Sequence, residues 1–298
     1  MSKTRILVAG ASGYLGSFLV KEFFARGFAV RALVRSTEKA RALAEWAEEI
    51  VVAQVMEAQS LREQRVAAGC DWVISTLGIT RQRDGFSCQQ VDYPANRNLL
   101  REAERAGVER FGFVAVLRGR ELRRTRMVGA KERFVDELVA SPIAHTVIRS
   151  TGFFSDMEEI LNMARSGRAF LFGRGSTRFN PIHGADLAEV VVDAMLSGDS
   201  EVEVGGPRVF TLEEIVRLAF DVLRKPPRIV HVPDVARKTV LGVLPLLTRE
   251  SFYGPTQFML AAQGLDMTAP CYGRHDLEEC FADRVSLQAE KEAVGAGL

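Results

Sequence analysis

Residues 6–20 read ILVAGASGYLGSFLV, and the spacing of Gly10, Gly13 and Gly16 within them decides the fold. The triplet lies between a short apolar run and a segment whose apolar residues recur at helical spacing, which is the setting that gives such glycines meaning. The first glycine permits a tight turn, the second lets the backbone approach a pyrophosphate, and the third lets the helix pack close to the strand. The helix N-terminus then offers unsatisfied N–H groups and a favourable dipole to an anion. Ser12 adds a hydroxyl donor, and Tyr14 and Leu15 open the helix beside the same phosphates.

Outward from this unit, FAVRALV, EIVVAQV, DWVISTLG, RFGFVAVL and AHTVIR read as further strands. Their nearly continuous apolar character suits parallel strands covered on both faces. Helical stretches separate them; one begins near Pro94, which suits a first helical turn, and stops at Gly107. Repeated strand–helix alternation predicts an α/β fold, a doubly wound parallel sheet of the Rossmann kind with a smaller C-terminal substrate lobe. The expected division is a nucleotide-binding domain over 1–150 and a lobe over 151–298, with parts near 180–210 returning to the main sheet. Within the lobe, Thr211 and Glu214 have the spacing of a helix capping box.

The second strand ends in LVRSTEK. A dinucleotide without a 2′-phosphate usually meets an acidic residue here, and none is present. Arg35 stands there instead, followed by Ser36, and a guanidinium grips a phosphate with two parallel hydrogen bonds. The expected cofactor is therefore NADP(H). VISTLG ends the fourth strand and places Thr76, Leu77 and Gly78 at the carboxyl edge of the sheet, where ligands bind in such folds.

The chain has 298 residues, 47% hydrophobic and 26% charged, with a net charge of +1. Such a balance gives no general pull on nucleic acid or anionic membranes. The basic run Arg118, Arg120, Arg123, Arg124 and Arg126 reads first as a solvated loop, and alternatively as a mouth attracting an acidic substrate or the cofactor phosphates. Cys70, Cys88, Cys271 and Cys280 form no CxxC, and with only four scattered histidines no zinc site is expected. TVLGVLPLL, from Thr239, is too short for a membrane span. Residues 239–247 are instead a candidate surface for a homodimer or a protein partner. The opening apolar run is too short for a signal-peptide core, so the expected location is the cytoplasm.

GASGYLG, LVRSTEK, VIRSTGFF, PIHGADLAEVV and VGGPRVFTLEEI occur in this order over about residues 4–235. Together they resemble the atypical short-chain dehydrogenase/reductases, in particular the NmrA-like NAD(P)H-binding group. GGPRVFTLEEI and the late YGRHDLEECF look most like divinyl chlorophyllide reductase-type members. The resemblance implies the fold and the cofactor. It also implies one of two activities: NADPH-dependent reduction, or dinucleotide binding without turnover by a redox sensor or assembly factor.

Many reductases on this sheet place a tyrosine four residues before a lysine; here MVGAK puts Met127 before Lys131. Methionine donates no proton, and FVAVL offers Ala115 and Val116 where a partner serine is expected, so the tyrosine mechanism is excluded. A nucleotide-sugar epimerase or dehydratase is disfavoured for the same reason. Lys131 has three readings: it binds the nicotinamide ribose, it donates the proton under the influence of the nearby arginines, or it is an ordinary exposed lysine followed by Glu132. Thr151 and Phe153 of STGFF are expected beside the nicotinamide, one bonding its amide and the other walling the pocket. His183 is read as structural, ahead of a helix that Asp186 helps to start. Hydride transfer asks mainly for orientation and water exclusion, so a conjugated small molecule such as a quinone or enone remains a competent substrate without the tyrosine.

Overall fold

The computed structural model describes residues 3–78, 91–247 and 250–295; Cys88 lies outside them. Seven strands form one parallel sheet in the order β3-β2-β1-β4-β5-β6-β9. They are β1 (Arg5–Ala9), β2 (Ala29–Val34), β3 (Glu49–Val52), β4 (Trp72–Ser75), β5 (Arg110–Val116), β6 (Ala144–Ser150) and β9 (Glu201–Val204). The strand order reverses between β1 and β4, and the crevice at such a point is where an open α/β sheet binds its ligands.

Alternation along β1 shows how the two layers form. Leu7 and Ala9 point into one core with Leu99 and Leu100 of α2 (Pro94–Ala106) and Phe134 and Leu138 of α3 (Arg126–Val139). Ile6 and Val8 point into the other, with Leu19 and Phe23 of α1 (Tyr14–Ala25). Helix α2 has Pro94 in its first turn and ends at Gly107, whose φ of 75° is the left-handed conformation that glycine adopts at little cost.

A smaller core is built by α4 (Glu158–Arg165), β7 (Ala169–Phe172), β8 (Arg178–Phe179), β10 (Phe210–Thr211) and α6 (Leu212–Val222). Thr211 and Glu214 form the reciprocal capping box that starts α6, and the Thr211 amide holds the Glu214 carboxyl below the usual carboxylate range. Between β8 and β10 in sequence, α5 (Gly184–Ser197) packs into the Ile6 and Val8 core, and β9 pairs with β6 at the sheet edge. The chain then forms β11 (Ile229–Val232), α7 (Asp234–Leu247) and α8 (Glu250–Ala262), and closes with α9 (Leu277–Gly295). Among the described residues no helix is long and apolar enough to cross a membrane.

A charged pair packs between the sheet and α3. Arg149 of β6 donates to Glu132 of α3 at 2.7 Å, with the two side chains 2% and 1% exposed, and reaches Glu201 of β9 at 3.0 Å. Gly119 makes room for it, because a Cβ there would collide with the Glu132 carboxylate.

Candidate functional site

The glycine loop leaves the carboxyl end of β1 with Gly10 at φ 81°. A Cβ at Gly10 would stand 2.6 Å from Thr76 Oγ1, and one at Gly16 would run into the Gly10 carbonyl. Strand, loop and helix therefore meet at distances that only glycine allows. No side chain caps the N-terminus of α1, and no acidic residue lies in its first turn. Its leading N–H groups thus suit a dinucleotide pyrophosphate. Ser12 is exposed at the loop surface, and Leu15 is buried beneath it. Thr76 ties β4 to the loop, its hydroxyl donating to the Ala9 carbonyl at 3.1 Å. The Leu77 amide donates to Ser75 Oγ at 3.3 Å. Arg35 is exposed directly after β2, and Ser36 precedes the helical turn at Thr37–Ala40.

Beside this loop lies a cleft of ≈ 240 Å³ whose wall includes Gly13, Thr76, Gly78, Met127, Lys131 and Phe153. Lys131 is not an ordinary surface lysine. Its side chain is 12% exposed, and its Nζ lies 3.1 Å from Oδ1 of Asp92, which is fully buried. Gly78 covers the pair closely: a Cβ there would fall 2.5 Å from Lys131 Nζ and 2.6 Å from Asp92 Oδ1. Met127, at the tyrosine position, also faces the cleft and packs with Leu117, Leu122 and Met267.

Three arginines of the basic run are paired elsewhere. Arg118 pairs with Glu121, Arg120 with Glu201 and Arg123 with Asp136, while the charge next to Lys131 is the carboxylate of Asp92. Thr151 also departs from its simplest reading. Its buried hydroxyl donates to the Asn180 carbonyl at 2.7 Å, so towards the cleft its oxygen can act only as an acceptor.

Tyr14 joins two helices at the cleft rim. Its hydroxyl accepts from the Gly184 amide at 3.0 Å, and its ring packs on Phe18 and Phe153. Burial pushes its phenol up to about 12, so it stays neutral through the physiological range. Beside it, His183 caps α5 by accepting from the Ala185 amide. Asp186, in the first turn of α5, also fastens a distant segment. It accepts from His275 Nδ1 at 2.7 Å and from the backbone amides of Arg274 and His275. The His275 ring stacks on His183 with centroids 4.0 Å apart.

Burial, reinforced by His275, holds the His183 imidazole below its ordinary 6.5. The unfolded chain therefore takes up a proton at His183 more readily than the folded one. Its contribution to stability is complete above 6.5 and is lost as pH falls from there through the lower folded value. His183→Asn keeps a capping acceptor and is expected to flatten the decline in stability between about pH 7 and pH 5.5. Parallel urea-stability profiles for the two proteins over that window would remove His183 as the cause.

The cleft also holds residues with no sequence signal of their own: Ser155 and Asp156 after Phe153, and Phe258 from α8. Asp92 had none either, because its only mark is the lysine that folding brings to it.

The chain belongs to the NAD(P)H-binding family, whose model matches residues 10–197. It is 25% identical over 316 residues to the chloroplastic divinyl chlorophyllide a 8-vinyl-reductase of Arabidopsis thaliana, covering 93% of this chain and 76% of that protein. It is 29% identical over 153 residues to the photosystem II assembly factor Ycf39 of Synechocystis sp., covering 51% of this chain and 46% of that one. The NADPH-dependent quinone oxidoreductase QOR2 of Escherichia coli, solved with NADPH, shares the fold with a TM-score of 0.74. That match covers 94% of this chain and 99% of the other at 16% identity, a likeness of fold alone.

Proposed function

We propose that this protein is an NADPH-dependent reductase that passes hydride to a conjugated small molecule, such as a quinone or enone, without a tyrosine or serine acid. The observation that carries this reading is Lys131, held by buried Asp92 in the wall of the cleft beside the glycine loop. NADPH would supply the hydride, which carries both electrons. The loop of Gly10, Gly13 and Gly16 and the start of α1 bind its pyrophosphate, and Arg35 with Ser36 takes the 2′-phosphate. Thr76 and Leu77 flank its sugar or adenine edge. Lys131 binds the nicotinamide ribose and sets a positive charge where negative charge develops on the acceptor. Phe153 walls the pocket, and Thr151 accepts from the nicotinamide amide. An acceptor that delocalises the added charge takes its proton from solvent.

Loss of NADPH absorbance on adding quinones or enones tests the reading, and no turnover across a broad panel would sink it. The 2′-phosphate assignment has its own test. Arg35→Asp is expected to weaken NADPH binding by about 10- to 100-fold while sparing NADH, as loss of a charge-assisted hydrogen bond implies. Unchanged NADPH affinity would remove the assignment.

A second reading, a non-catalytic NADP(H)-binding redox sensor or assembly factor, is supported by α7. Val235, Val240 and Val243 are exposed there, at 71%, 39% and 39%, and offer an apolar surface to a second copy or another protein. A sensor must bind NADPH and NADP⁺ unequally, because equal affinity shifts no equilibrium. Calorimetric titration with both forms separates the readings, and matched affinities would remove the sensor.

A further inference from the structure

A second cavity, of ≈ 120 Å³, lies in the C-terminal lobe against the cleft. Asp156 lines both spaces. On α8, Phe258 faces the cleft and the next residue, Met259, faces the chamber. Phe179 partitions them elsewhere. Its ring borders the chamber, while its Cζ lies 2.7 Å from where a Cβ on Gly152, in the cleft wall, would stand.

The chamber is walled largely by Met157, Met163, Met259 and Met267 with Ile160 and Leu265. Unbranched thioethers are flexible and polarizable, and adapt to irregular apolar shapes. The charges at its edge oppose an anion: Asp156 and Glu159 contribute carboxylates, and Arg178 is already paired with Asp266 at 3.1 Å.

We propose that this chamber receives an uncharged apolar substituent of the molecule whose conjugated ring lies in the cleft. It rests on the reductase reading and narrows the substrate class. Benzene fills an apolar cavity of about 150 Å³, so the substituent is a short branched chain or single ring of about five or six carbons. The two spaces together select a bipartite substrate: a flat electron-accepting ring, and a neutral hydrocarbon arm that passes Asp156.

The test is calorimetry on NADP⁺-loaded protein, where no turnover intervenes. The probes are menadione, menadione bearing one dimethylallyl group on its free ring carbon, and menadione bearing a carboxyalkyl chain of equal length. The dimethylallyl compound is expected to bind about tenfold or more tighter than menadione, and the carboxyalkyl compound no tighter. Ala262→Trp, and Met259→Trp at the exposed rim, should fill the chamber and reduce that ratio to less than about twofold. NADP⁺ affinity reports whether each variant is folded. Equal affinities in the wild type, no binding of the dimethylallyl compound, or a ratio that survives both tryptophans would overturn the proposal. Failure of the reductase reading looks different: none of the three quinones would oxidise NADPH, while the affinity ratio remained.

Discussion

Arg149→Met is expected to remove about 3–5 kcal/mol of folding stability, read from the midpoint of urea denaturation. The size follows from what is left behind. Arg149 and Glu132 are both almost fully buried, and the guanidinium meets that carboxylate at 2.7 Å and Glu201 at 3.0 Å. Removing the cation strands the Glu132 charge between α3 and the sheet, where desolvation is no longer offset. Replacing both partners, as Arg149→Met with Glu132→Leu, should recover much of the loss, because a well-packed apolar pair carries no such penalty. A single-variant loss below about 1 kcal/mol would show that water reaches Glu132 and that the pair is in effect exposed.

Lys131→Met is expected to lower kcat/KM by about 100-fold or more, with a loss of stability as well, because it removes the cation 3.1 Å from the buried Asp92 carboxylate. Methionine approximates the length of the side chain but removes the charge and its three donors. A loss of kcat at saturating NADPH places the charge beside the reacting acceptor, whereas a loss confined to NADPH affinity leaves Lys131 as a ribose anchor. Asp92→Asn serves as the companion. It keeps the shape beneath Gly78 but removes the anion 3.1 Å from Nζ, and is expected to produce a smaller loss in the same parameter. Full activity in Lys131→Met would take the lysine out of the mechanism.

The elements that were legible in the sequence are those whose cause is local. Gly10, Gly13 and Gly16 announce the loop because backbone clashes within a few residues demand glycine, and φ at Gly10 shows the demand. Pro94 and Gly107 bound a helix, and Thr211 with Glu214 starts another, through bonds that close inside one turn. That residue 127 is a methionine, which donates no proton, was equally plain.

Lys131 could be singled out from sequence, but its neighbour could not. The arginines of the preceding loop are near in sequence and suggested a cationic setting, whereas folding sends three of them to Glu121, Glu201 and Asp136 and brings Asp92 to the lysine. Asp186 is similar. From sequence it looked like a helix starter, and the tertiary structure adds its grip on Arg274 and His275.

By itself, then, the sequence determined the parallel sheet, the glycine loop and the methionine that stands four residues before Lys131. These follow from periodicity, from backbone sterics and from single residue identities. The tertiary structure decided which charges are buried, which are cancelled at the surface, and that an apolar chamber opens beside the cleft. Each of those depends on Coulomb and packing energies between residues far apart in the chain, and they take their values only when folding sets the distances.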